Sequence, residues 1–429
     1  MSTIRLTVGL AAAWLAVPGL AQTKPDSSPS ALLAKAIESN RDLLAVSQRI
    51  DEARGLLRQA GVRPAPTLEA SGTTGRPLGT VGEEQFGAGI SQTLETAGKR
   101  PLRIRVAEKQ LALAEAEYDE RVRQLRFEVR ARYAEYAAED ERLQIVERLQ
   151  QAYRRSLELT KARVEQGDAA ALERDLLLVE LSRTEAQRAA IAGRMQAARA
   201  ELAKLAGLQD SRAVEPPVTG PLAEVRLDLG ELQKKSLAQR PDLRAAELVR
   251  QQGEAQGSLA QAEGKADVTL SAGYNRVYSR FDEQLGLTPG GIPAVLRDRD
   301  DVLTVGVSIP LFGRSRNLGN IEAAVARTRG AQYRREFLER SIPLEVESAW
   351  VRYTSARQAY QMLDQTVLRQ AGKNLEVIQS AYRLGQLRLL DVLNEQRRLL
   401  DTQLAAVDAK LEVQRGMADL ERASGGELQ

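Results

Sequence analysis

At 429 residues the chain is long enough for two or three ordinary domains. It is 43% hydrophobic but only 4% aromatic, and 61 basic side chains nearly cancel 58 acidic ones, leaving a net charge of +3. The absence of Cys and His excludes disulfides, thiol nucleophiles, Ser-His-Asp triads, zinc sites of the usual kind and a lipid-modified N-terminal Cys, and interleaved charges leave no nucleic-acid footprint.

In chain order, Arg5, the apolar stretch 6–17 and Gly19-Leu20-Ala21 before Gln22 predict a secretory signal peptide over residues 1–21. That stretch is shorter than the ~20 apolar residues of a spanning helix, and no later one approaches it. Export without a helical route back into a membrane is the expectation. Strands are expected at about 66–75 and 85–96, where Phe86, Ala88 and Ile90 alternate with Gly87, Gly89 and Ser91.

A very long helix follows. No Gly occurs from 101 to 166 and no Pro from 102 to 215, so one uninterrupted element of roughly 100 Å is predicted. Tyr118, Val122, Leu125, Val129, Tyr136, Leu143 and Val146 form a narrow apolar stripe between charged flanks, the pattern of a coiled coil. Gly167 and Asp168 break it, a second helix runs from about 172 to 205, and Gly207 closes a helical hairpin over 101–207. Residues 208–230, with Pro216, Pro217, Gly220 and Pro221, read as a connecting segment.

The plan then recurs. Strands are expected at about 266–280 and 301–312, and a helical hairpin at 321–425, interrupted at Pro343 and Gly372 and turning at Gly385. One offset separates Gly167 from Gly385, Glu173 from Asp391, and Gly207 from Gly425, as a duplication requires. The first repeat is placed at 22–207 and the second at 231–429. Val268, Leu270, Ala272 and Tyr274 alternate with small polar residues, as do Leu303, Val305, Val307, Ile309 and Leu311. Ten-residue strands with one apolar and one small-polar face suit an outer-membrane barrel. Phe86, Phe281, Phe312, Tyr274 and Tyr278 suit an interfacial girdle. The stretches 76–84 and 281–300 are expected as loops facing outside, the second with the composition of a mobile loop.

Four strands cannot close a barrel, and open edges in lipid cost several kcal/mol per unpaired group. Several chains must therefore share one barrel: two would give eight strands and three would give twelve, and the pattern alone does not choose.

The duplicated helix–strand–strand–long hairpin plan carries the turn motifs Arg163-Val164-Glu165-Gln166-Gly167 and Tyr382-Arg383-Leu384-Gly385, and the closing Leu389-Leu390-Asp391-Val392-Leu393-Asn394. With these it resembles the TolC-like outer-membrane efflux factors over nearly its whole mature length. Gly89-Ile90-Ser91-Gln92-Thr93-Leu94-Glu95 followed by Ala97-Gly98-Lys99-Arg100 is similar to the CzcC-type heavy-metal branch. The resemblance implies a mainly α fold with a small membrane β-barrel, a homotrimer sharing a 12-stranded barrel, and a helical tunnel across the periplasm. It also implies a periplasmic adaptor and an inner-membrane pump of the resistance-nodulation-division class as partners, in contact with outer-membrane lipid.

By position it further implies a periplasmic gate in which Asp391 matches the family's entrance Asp, Glu173 takes the equivalent acidic place, and Tyr382 helps hold the closed state. Asn394 stands where some relatives have a second Asp, and Leu387 replaces a basic gate residue, with Arg388 beside it. Read only from the residues, Glu173 and Asp391 are equally well ordinary first-turn charges favoured by the helix dipole.

No catalytic, cofactor or metal site is expected. The phrase 97–100 resembles the end of a phosphate-binding loop, but Thr93 and Arg100 break that pattern. The reading is a passive exit duct, with heavy-metal cations as cargo. A drug or type I secretion channel, or a periplasmic coiled-coil scaffold, are the alternatives.

Overall fold

The computed structural model describes residues 28–78, 84–217, 222, 225–311 and 317–428, with backbone alone at 281–284. The signal-peptide expectation, Gly220, Pro221 and Phe312 lie outside those residues. Helices α1 (Pro29–Ser39) and α2 (Arg41–Ala60) meet at Asn40. Its side-chain oxygen accepts from the Asp42 and Leu43 amides at 2.9 and 3.1 Å, capping α2. Its amide nitrogen donates to the Leu205 carbonyl at 2.9 Å, so one residue starts a helix and anchors the end of another 165 positions away.

Strands β1 (Thr67–Thr74) and β2 (Glu84–Leu94) follow, then α3 (Lys99–Glu165), which is 67 residues long, and α4 (Ala171–Leu205). Of the apolar stripe, Leu125, Val129, Tyr136 and Val146 are buried and Tyr118, Val122 and Leu143 partly so. The second half begins with α5 (Leu229–Gln239) and α6 (Pro241–Glu263), whose corner is Arg240. That buried guanidinium donates to Asp242 at 2.6 and 3.0 Å and to Glu345 at 2.6 Å. The duplication shows at the two corners. A Cβ on Gly207 would lie 2.5 Å from the Ser39 carbonyl oxygen, and one on Gly425 would crowd the Gln239–Arg240 backbone at 3.3 Å. Each hairpin thus closes against its own half's first corner.

Strands β3 (Val268–Leu287) and β4 (Pro293–Ser308) complete one antiparallel sheet in the order β1-β2-β3-β4. The expected loop at 281–300 needs correction. The β3–β4 ladder continues through Leu285↔Val295 to Leu287↔Pro293, with one irregularity after Phe281. Only Thr288–Ile292 turns, closed by Thr288 N–H to the Ile292 carbonyl at 2.9 Å, with Gly291 at φ +74°. The turn-forming Pro289, Gly290 and Gly291 sit together there, leaving the flanking backbone free to pair.

Helix α7 (Leu318–Met362) runs through Pro343 without the expected break. Ile342 and Val346 on either side are fully buried, Ile342 with Leu338 against Leu243 and Ala246 of α6, and this packing outweighs the helix penalty of the proline. Gly372 also lies within a helix, α8 (Leu368–Arg383). The interruption falls between them, a π-helical turn at Leu363–Val367. Helix α9 (Leu389–Ser424) ends the fold. Among the described residues, five separate clusters of buried side chains are strung along the helices in place of one central core. Among the described residues no helix is long and apolar enough to cross a membrane.

The sheet has two unlike faces. Leu68, Phe86, Ile90, Leu270, Leu303, Val305 and Val307 project from one, each at least 45% exposed. Thr67, Ser71, Gly87, Gly89, Ser91, Thr93, Thr269, Ser271, Asn275 and Gly306 make the other. There Thr67 and Ser91 hydroxyls pair at 2.6 Å and Thr93 and Thr269 at 3.1 Å.

Candidate functional site

The ends of the two hairpins farthest from the sheet gather the residues singled out in the sequence. Both turns have one backbone design. At Gly167 (φ +80°) the Gly167 amide donates to the Val164 carbonyl at 3.1 Å and Asp168 to Arg163 at 2.8 Å. At Gly385 (φ +76°) Gly385 donates to Tyr382 at 2.9 Å and Gln386 to Ala381 at 3.0 Å. This is the left-handed helix termination that glycine adopts without steric cost.

Glu173 sits in the first turn of α4 and Asp391 in the first turn of α9. Their roles within the protomer differ. The Tyr382 hydroxyl donates to Glu173 Oε2 at 3.3 Å, joining the last turn of α8 to the first turn of α4. Burial lifts the Tyr382 phenol above its ordinary value, the Glu173 carboxylate adds to the rise, and Arg163 offsets part of it. Asp391 instead accepts from the Arg388 amide at 3.0 Å, capping its own helix. Asn394 is exposed, and among the described residues no hydrogen bond reaches its side chain. The structure thus brings Tyr382 and Glu173 together and leaves Asp391 and Asn394 facing outward from one protomer.

Behind this surface lies an apolar cluster of Tyr153, Leu157, Leu177, Leu389 and Leu393, against which Tyr382 packs. It holds a polar core that the sequence did not single out. Glu180 is 4% exposed and accepts two hydrogen bonds from the Arg397 guanidinium, one at 3.0 Å. The bond to Glu180 raises the Arg397 guanidinium pKa further. The Tyr153 hydroxyl, buried beside this pair, has no hydrogen-bond partner among the described residues. Burial first, and the Glu180 charge second, push its phenol up to about 12. The available signal was the heptad: Glu180 stands seven residues after Glu173, on the same stripe of α4.

Known proteins match this architecture along nearly its whole length. The family described as outer membrane efflux protein matches residues 32–208 and 232–426. The cobalt-zinc-cadmium resistance protein CzcC of Cupriavidus metallidurans is 25% identical over 428 residues, spanning 94% of this chain and 95% of that protein. The cation efflux system protein CusC of Escherichia coli O157:H7 is 25% identical over 418 residues, spanning 94% and 86%. A crystal structure of CusC superposes with a TM-score of 0.74 at 20% identity, over 98% of this chain and 100% of that one.

Proposed function

The chain belongs to the outer membrane efflux protein family, and we propose that it forms, as a homotrimer, the exit duct of a tripartite system that expels heavy-metal cations. The single observation behind this reading is a four-stranded sheet with an exposed apolar face and two unpaired edge strands, continuous with helices of 35 to 67 residues. Unpaired edges in lipid are too costly to persist. Three copies close twelve strands, placing the apolar face in lipid and the Thr, Ser, Gly and Asn face around water.

The strand-to-helix junctions all lie at one end of the sheet, so the helices descend into the periplasm and the strand hairpins face outside. Conduction needs no chemical step from this chain. A periplasmic adaptor and an inner-membrane pump of the resistance-nodulation-division class would supply contact and energy. Cations crossing a hydroxyl- and amide-lined lumen meet hard oxygen ligands and no soft ones, so they pass without tight coordination. The relatives named for cobalt-zinc-cadmium resistance and cation efflux favour metal cargo.

At the periplasmic end the Tyr382–Glu173 bond acts as a latch within each protomer, and three exposed Asp391 carboxylates form a ring that draws cations electrostatically. Deleting the gene is expected to lower the tolerated concentrations of cobalt, zinc and cadmium several-fold. Unchanged metal tolerance with new drug sensitivity overturns the cargo. A monomeric, detergent-indifferent mature protein overturns the channel.

A further inference from the structure

The order of the helices below the sheet repeats the order of its strands. Helix α2 packs on α3, α3 on α6, and α6 on α7, just as β1, β2, β3 and β4 lie side by side. Over this height each protomer is one strip of wall. Its free margins are β1 with α2, which leads into it, and β4 with α7, which follows it. Bringing β4 of one copy beside β1 of the next carries α7 of the first onto α2 of the second.

On α7 the two sides differ. Ala324, Ala331, Leu338 and Ile342 are buried, the last two against Leu243 and Ala246 of α6. Half a turn away Tyr333 and Phe337 are 67% and 56% exposed, and Leu344 and Val351 prolong the stripe at 65% and 54%. Within the protomer the Phe337 ring meets only a guanidinium, that of Arg334, 5.3 Å from its centre. Spacings of four and seven keep these residues on one face, and an apolar stripe between charged flanks is a helix-packing seam. The margin on α2 is its complement. Leu43, Ala53 and Ala60 are buried, and the other side presents Gln48, Glu52, Gly55 and Gln59, with no large apolar side chain. Gly55 has open space where a Cβ would lie, so nothing within the protomer calls for a glycine that weakens a helix interior. Charges match in order as well. Counted away from the sheet, the α7 face carries Glu322, Arg329, Arg340 and Glu347, and α2 carries Arg58, Glu52 and Arg41. All are exposed, and among the described residues none forms an ion pair or a side-chain hydrogen bond.

We propose that these two faces are the seam between copies of this chain. Tyr333 and Phe337 of one copy seat on the Gln48–Gln59 side of α2 in the next, with Glu52 between Arg329 and Arg340, and Arg41 beside Glu347. The contact is head to tail, each copy giving one face and receiving the other, the kind that closes a ring by repetition. Aromatic rings leave water at its centre while unpaired charges find partners at its rim. The proposal rests on the shared-barrel reading above. It places part of the bond between copies in the helical wall, outside the sheet.

The chain contains no cysteine, so introduced thiols report alone. Full-length protein in outer membranes carries Phe337→Cys with Ala45→Cys, Gln48→Cys, Glu52→Cys, Gly55→Cys or Gln59→Cys, one pair at a time. Within one chain two helices separate α2 from α7, roughly 25 Å, whereas a disulfide needs Cα atoms within about 7 Å. Any bond formed therefore joins two copies. Mild oxidation is expected to give linked dimers and trimers for at least one pair. Phe337→Cys alone should react with a water-soluble maleimide about tenfold more slowly in the assembly than after dissociation. Gln332→Cys, on a different side of α7, should react equally in both. Phe337→Asp should speed dissociation of the trimer at least about tenfold, and Phe337→Leu much less. Trimers without a cross-link at any of the five positions, an equally reactive thiol, or Phe337→Asp trimers as durable as the wild type each overturn the seam and leave the duct standing. A thiol shielded only when the periplasmic adaptor is present makes that protein the occupant and overturns the seam too. A protein monomeric in membrane and detergent removes the shared barrel and the seam together.

Discussion

The first hairpin, α3 and α4, and the second, α8 and α9, turn on glycines with the same backbone bonds, yet they are fastened differently. Helix α3 reaches its turn unbroken and buries Ile145, Val146, Gln150, Tyr153, Leu157 and Thr160 on the way. Helix α8 reaches its turn after a π-helical interruption and buries only Ala371. Its tie to the rest of the tip is Tyr382, through the hydroxyl bond to Glu173 and the packing on the Leu177–Leu393 cluster. Duplication preserved what the backbone dictates and let the side-chain fastenings diverge. The second hairpin's first arm is therefore the more weakly held of the two.

Six substitutions break or sharpen that contrast. The largest effect is expected at the polar core joining α4 to α9. Arg397→Ala strands the buried Glu180 carboxylate and should cost about 2–3 kcal/mol of stability by thermal or denaturant unfolding, the partly solvated guanidinium placing it below fully buried pairs. A loss under a few tenths would mean that the hairpins are not joined there. Next, Gly167→Ala and Gly385→Ala should each cost about 1–2 kcal/mol. No atom stands within 4 Å of either added Cβ, so the penalty is purely conformational. Equal losses support a shared turn design, and clearly unequal ones refute it.

Tyr382→Phe removes the bond to Glu173 at about 1 kcal/mol and should raise open probability in planar bilayers, whereas Asp391→Ala should change cation preference about twofold without doing so. Identical traces from both variants would dissolve the distinction between latch and ring. The smallest effect has the opposite sign. Tyr153→Phe relieves an unpartnered buried hydroxyl and should stabilise by up to about 1 kcal/mol. In the wild type the folded chain holds the Tyr153 proton more tightly than the unfolded one. That contribution is complete below about pH 10 and is lost as pH rises toward 12. The alkaline loss should shrink in the Phe variant, and an unchanged alkaline midpoint would contradict the burial of this phenol.

Much of this was legible before any coordinates. Glycine-free stretches marked α3, the offset glycines marked the turns, and alternation marked the strands, because each reflects a local backbone rule. The extension of β3 and β4 was not, since charged residues around a Pro-Gly-Gly turn read as loop, while ladder hydrogen bonds require no apolar alternation. The π turn at Leu363–Val367 was equally invisible, containing neither Gly nor Pro. The Tyr382–Glu173 contact was reachable only through the family's turn motif. Glu180 and Arg397 were missed because a charged residue on a helix is by default solvated, and their burial is decided by packing between helices far apart in sequence.

The division of the interior into five clusters spaced along the helices has a mechanical consequence. In a molecule with one core, loosening any part weakens the whole, so opening competes with unfolding. Here the cluster around Leu177 and Leu393 shares no residue with those around Leu125 or Val346. Segments that share no buried side chains open with their own free energies. The lower end is therefore expected to open with a free energy of its own, apart from that of the upper shaft, like the free end of a bundle bound at intervals.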